Sequence, residues 1–164
     1  MQLTQSQEKL RRSILGRWSF LYFLMTKLPM GFFASMRLRH LDDEKCIASI
    51  PFNWVTKNPF KSTYFAVQSM AAELSTATPC LLAITGTNPS IAFIIVDLKA
   101  TFSKKATDTV YFTCEDVKDA FNAVALAQTT GEPQTVTLKT IGKMKNGTVV
   151  SEFEFTWSFK SRKS

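Results

Sequence analysis

Glu73 is the only charged residue between Ser62 and Val96, and it stands in the middle of an apolar stretch. A lone carboxylate among apolar side chains is costly unless it is paired, hydrogen-bonded or protonated. Desolvation raises its pKa, and a carboxylate titrating closer to neutral pH serves well as a general base or a nucleophile. The alternative is that Glu73 reaches a cleft or the one wet edge of its helix and does nothing special, since glutamate is a good helix former. Gln68 and Ser69 lie about one helical turn upstream, where residues share a face with it. His40 is the single histidine, next to Asp42 and Asp43, so a Ser-His or Cys-His pair would have to use it; a surface turn is the simpler reading. Cys46, Cys80 and Cys114 are widely spaced and include no C-x-x-C, which argues against a disulfide framework and a zinc site; no metal is expected. Cys80 follows Pro79 in apolar surroundings and reads as core, not as a nucleophile.

Glu73 needs a scaffold, and the surrounding pattern supplies a helix over residues 63–82. Ala66, Val67, Met70, Ala71, Ala72, Leu74, Ala77 and Leu81 place apolar or small side chains almost all round it, so most of its sides should be buried. Ser62 or Thr63 is the expected N-cap, and Pro79 should bend or end the helix. Upstream, residues 36–41 alternate as a half-buried strand, Asp42 to Glu44 turn, and residues 45–52 return, giving a hairpin. Residues 53–62 form a loop rich in turn formers. Downstream come a loop over 85–90, a long β-branched strand over 91–102, and a strand over 108–114. A helical stretch over 116–128 follows, with apolar Val117, Phe121, Val124 and Ala125. Two last strands, 134–144 and 148–160, are joined by Lys145-Asn146-Gly147, a strong hairpin signal. Two strands, one buried helix and four more strands predict an α+β domain, an antiparallel sheet wrapped around a central helix.

The stretch Asn58-Pro-Phe-Lys-Ser-Thr-Tyr-Phe-Ala-Val-Gln-Ser-Met-Ala-Ala-Glu73 resembles the active-site segment of hotdog-fold thioesterases. The phenylacetate-pathway and 4-hydroxybenzoyl-CoA types are nearest in pattern. In those families an asparagine precedes a His-Gly-Gly turn that opens the central helix, and the helix carries an acidic residue. Asn58 and Glu73 match the asparagine and the acid, while Tyr64, Phe65 and Ala66 stand at the His-Gly-Gly positions, so the chain resembles a diverged, uncharacterised branch. The resemblance covers about residues 29–160, and the strand order agrees with it. It implies hydrolysis of an acyl-CoA thioester at a dimer interface, in a homodimer or a dimer of dimers. Glu73 would be the base or nucleophile, the Phe65 N–H the oxyanion donor, and Asn58 would orient water or thioester. Tyr64 would either donate a hydrogen bond in place of the histidine or plug the pocket. No cofactor is implied beyond the coenzyme A of the substrate. Lys57, Lys61, Lys104 and Lys105 are candidates for its phosphates, although for each one taken singly a solvated lysine at a loop end is the simpler reading. Without the His-Gly-Gly turn, the alternative is a non-catalytic hotdog module that binds acyl chains or acyl-CoA.

A chain of 164 residues, 45% hydrophobic and 20% charged, fits one globular domain. Its fourteen phenylalanines predict a large aromatic core or a wide apolar surface against a partner. The net charge of +7 suits phosphorylated ligands. The charge is spread, with short clusters such as Arg11-Arg12 and Lys160, Arg162 and Lys163 and no long basic run, so a nucleic-acid partner is not expected. Arg37 and Arg39 alternate on one strand face toward solvent. Residues 1–28 are expected to form an N-terminal amphipathic helix, about 6–28, ahead of a hotdog domain over 29–164. Its apolar run, Trp18 to Leu24, is too short to cross a membrane and lacks a signal-peptide cleavage site, although a membrane-surface role fits an amphipathic helix. The cysteines favour a reducing, cytoplasmic compartment.

Overall fold

The computed structural model describes residues 2–162. Along it run α1 (Gln5–Leu15), α2 (Arg17–Lys27), α3 (Pro29–Phe33), β1 (Arg37–Leu41), β2 (Cys46–Ile50), α4 (Phe65–Ile84), β3 (Ile91–Phe102), β4 (Val110–Cys114), α5 (Val117–Thr130), β5 (Gln134–Met144) and β6 (Val149–Ser161). Lys163 of the basic tail lies outside the described residues. The strands form one sheet in the order β1-β2-β4-β5-β6-β3, and every neighbouring pair is antiparallel. Between β2 and β3 the chain forms α4, which packs on β2, β4, β5 and β6. The curled sheet around one central helix is therefore as expected, and so is the hairpin at Asn146-Gly147, where Gly147 takes a φ of 82°.

β6 explains why the sheet closes on α4. Phe153, Phe155, Trp157 and Phe159 alternate along it and all are buried, while the residues between them are not. A strand places alternate side chains on one face, so these rings make a continuous row against the helix. Phe153 touches the rings of Phe102, Phe112 and Phe155 at centroid distances of 5.5, 5.8 and 6.0 Å. Gly142 on β5 leaves room for Phe112: a Cβ there would come within 2.6 Å of that ring. Phe153→Ala should lower unfolding free energy by about 4 kcal/mol, read from urea denaturation, because the rigid ring row cannot collapse into the space. Two buried polar links set the position of α4 on the sheet. The Ser75 hydroxyl meets Thr140 Oγ1 at 2.8 Å, and the Ser151 hydroxyl donates to Gln68 Oε1 at 2.9 Å.

Three expectations are corrected. The single N-terminal helix expected over 6–28 is instead two, α1 and α2, and the short α3 follows them. Gly16 adopts an extended ψ of 125° that ends one helix and begins the next. Pro29 disfavours helical geometry at Leu28, which sits at φ −137°, ψ 63°. Neither Ser62 nor Thr63 caps α4, because the N-cap is Tyr64 and no side chain accepts from the first turn. Pro79 neither ends nor breaks α4, which continues to Ile84. Hydroxyls of Ser75, Thr76 and Thr78 bond carbonyls in the preceding turn, and packing on the sheet holds the ring in place.

Candidate functional site

The N-terminus of α4 is held from three sides. Thr63 N–H donates to the Ala106 carbonyl at 2.8 Å, tying the loop after β3 to the helix start. Tyr64 N–H donates to the Thr56 carbonyl at 2.8 Å. From below, Gln68 Nε2 donates to the Thr63 carbonyl at 3.2 Å, while its Oε1 takes the Ser151 hydroxyl. Among the described residues nothing accepts the N–H of Phe65 or of Ala66. An uncapped helix start presents free donors and the positive end of the helix dipole. Phe65 lines a cleft of about 560 Å³ together with Asn58, Tyr64, Phe102, Lys104 and Lys105 among others. No carboxylate of the described residues pairs with Lys104 or Lys105. Tyr64 packs edge-on against Phe65 at 4.9 Å, and Phe65 against Phe102 at 6.3 Å. The two bulky residues form one wall and leave the cleft open.

Asn58 lies beside the cleft but turns its side chain into its own loop. Its Oδ1 accepts the N–H groups of Phe60 and Ser62, and its Nδ2 donates to the Ser62 hydroxyl. It shapes the loop that delivers Tyr64. Lys57 and Lys61 are exposed on that loop and do not line the cleft. Lys57 pairs through its backbone with Thr63, and Lys61 takes a left-handed φ of 59°.

Glu73 lies elsewhere. It is eight residues beyond Phe65 on α4, or about 12 Å along the axis at 1.5 Å per residue. It lines a separate groove of about 360 Å³ with Met30, Met36, Met70, Leu74 and Lys27. The side chain reaches solvent, yet the apolar residues beside it raise its pKa above the ordinary 4.5 by desolvation. Gln68 does not share its face: it is buried toward β6.

The other candidates are structural. His40 bonds Asp42 at the hairpin turn. Against some desolvation, the Lys45 N–H, His40 and the Glu44 N–H draw the Asp42 carboxyl down to about 2. Cys80 is fully buried and burial pushes its thiol up, so it packs as core. Arg37 and Arg39 are exposed on β1.

No protein-family model and no curated protein matches the sequence. Solved structures do match. A Pseudomonas aeruginosa protein of unknown function, named a probable thioesterase, superposes with a TM-score of 0.75 at 16% identity, over 92% of this chain and 99% of that one. A Haemophilus influenzae thioesterase gives 0.64 at 11% identity, over 89% and 91%. A Chlorobaculum tepidum protein of unknown function gives 0.73 at 12% identity, over 91% and 99%. The chain has the hotdog fold. On this hotdog sheet β3 is a free edge twelve residues long. Ile94, Val96, Leu98 and Phe102 are exposed along it, with Val96 in a bulge against β6.

Sequence reasoning missed two parts of this arrangement. One is the buried role of Gln68, whose signal was a long polar side chain within a mostly apolar helix. The other is the groove around Glu73, which needs Met30 and Met36 from segments whose position over α4 no local pattern reveals.

Proposed function

We propose that the protein is an acyl-CoA thioesterase whose site forms between two copies of the chain. The observation that carries this reading is the uncapped start of α4, with the free N–H of Phe65 at a cleft that Lys104 and Lys105 also line. A thioester carbonyl is neutral in the ground state and gains negative charge on attack, which is the change such donors favour. The lysines suit the phosphates of coenzyme A. A lone carboxylate with a raised pKa suits proton abstraction from water.

Glu73 takes a proton from water while the water oxygen attacks the thioester carbonyl carbon. The Phe65 N–H receives the oxyanion. The carbonyl re-forms, the carbon–sulfur bond breaks, and the departing thiolate takes the proton from Glu73. The products are a carboxylic acid and free coenzyme A.

Within one chain a single carbonyl does not reach both Phe65 and Glu73. The exposed apolar edge of β3 supports a partner, since a long hydrophobic edge invites pairing with another chain. Pairing of β3 with β3 of a second copy is two-fold symmetric and gives the dimer two copies of every catalytic group. On this reading Glu73 of one protomer acts at the α4 start of the other. Three buried, unbridged thiols fit a reducing, cytoplasmic setting.

Thiol release from a panel of short, long and aromatic acyl-CoAs tests the proposal, with turnover by the wild-type chain as the expected result. Binding of an acyl-CoA without any thiol release would overturn it in favour of a non-catalytic module.

A further inference from the structure

α2 carries two apolar faces. Phe20 and Leu24 are buried inward, with Phe23 partly so. On the opposite side Trp18, Leu21, Tyr22 and Met25 fall at the i, i+3, i+4, i+7 spacing of a single stripe, and all four are exposed. Trp18 is 74% exposed and Tyr22 66%. A helix with such a stripe normally covers it. The apolar surface continues on α3, where Met30 and Phe33 are exposed.

The charge on these segments has one sign, and the carboxylate beside them is Glu73, in the groove that Lys27 and Met30 also line. From Lys9 to Leu41 the chain holds seven lysines and arginines and no aspartate or glutamate. Arg11 and Arg12 pair with Glu8, but Arg17, Lys27, Arg37 and Arg39 join no ion pair among the described residues. Arg17 lies over the Trp18 ring at 5.3 Å. Beside the stripe, a groove of about 650 Å³ has a floor of Phe20, Leu24 and Leu38 and is also lined by Arg17, Arg37 and Arg39. Apolar side chains flanked by unpaired cations, with Trp and Tyr among them, match the layering of an anionic lipid surface, acyl region beneath and phosphates above. None of the helices among the described residues is long and apolar enough to cross a membrane, so the contact lies along the surface.

We infer that the exposed stripe of α2, with α3 and the surrounding arginines, docks the protein on an anionic membrane surface. The inference is independent of the thioesterase reading. The test is co-sedimentation of the full chain with vesicles of equal parts phosphatidylglycerol and phosphatidylcholine, against vesicles of phosphatidylcholine alone. Binding to the anionic vesicles at low salt is expected, with release as salt rises. The Trp18→Ser, Met25→Ser double variant should bind at least about tenfold more weakly, because two exposed apolar side chains no longer enter the lipid. Arg17→Gln and Lys27→Gln should each weaken binding about fivefold. All four positions are exposed, and an unchanged circular dichroism spectrum confirms that each variant folds. Absence of sedimentation with anionic vesicles overturns the inference, as does undiminished binding by the double variant. Loss of self-association in that variant, without lipid binding by the wild type, assigns the stripe to a second copy instead and equally overturns it.

Discussion

Glu73→Gln lowers kcat for acyl-CoA hydrolysis by about a thousandfold, the scale of losing a positioned general base. Glutamine keeps the shape and removes only the proton acceptor. The wild-type pH profile carries the same signature. Desolvation raises the carboxyl above 4.5, and the base works only when ionised. Activity therefore falls as pH drops, along a limb centred above 4.5, and that limb is absent from the residual activity of Glu73→Gln. Stability moves the other way. The apolar groove disfavours the charged form, so above the raised pKa this carboxylate works against folding, and the glutamine variant should melt no lower than wild type at neutral pH. A thermal melt beside the kinetic assay separates this outcome from simple misfolding.

Phe65→Pro removes the N–H proposed to receive the oxyanion and little else from the backbone. Phe65 is the first residue of α4, a position where proline is well tolerated and the missing donor has no helical partner. Tyr64 sits at φ −60°, ψ 136°, the extended geometry that a residue before proline adopts. The helix should therefore form normally, with kcat down by about a hundredfold. Phe65→Ala provides the contrast. It loses the ring, which is largely exposed, but keeps the N–H, so its effect should fall mainly on KM. Equal losses of kcat in both variants would assign Phe65 a packing role and the oxyanion to another donor.

Much of this arrangement was legible in the residue pattern because it rests on local rules. The alternation of β6, the Asn146-Gly147 turn and the apolar wrap of α4 each declare themselves within a short window. The order of elements then leaves few ways to close a sheet on one helix. Glu73 was visible as a charge without company. What local pattern hid depends on distant packing. Pro79 survives inside α4 because the surrounding sheet outweighs a local helix breaker. The N-cap failed to appear at Thr63 because its N–H and hydroxyl are both committed to Ala106 across the cleft. Asn58 matched the expected position, yet its carboxamide is spent on the loop. The resemblance placed Asn58, Phe65 and Glu73 in one site, whereas α4 separates the first two from the third. One helix cannot bring residues two turns apart to one atom, and no single-chain pattern encodes the symmetry operation that would.

Complementation between inactive chains tests the two-copy site most directly. Glu73→Gln and Phe65→Pro chains are co-expressed, each with its own affinity tag, and the mixed dimer is isolated through both tags. In that dimer one site lacks both groups and the other has both intact, so thiol release should return to about half the wild-type rate per dimer. Activity no greater than that of either variant alone would place both groups within one chain and contradict a catalytic site shared between protomers.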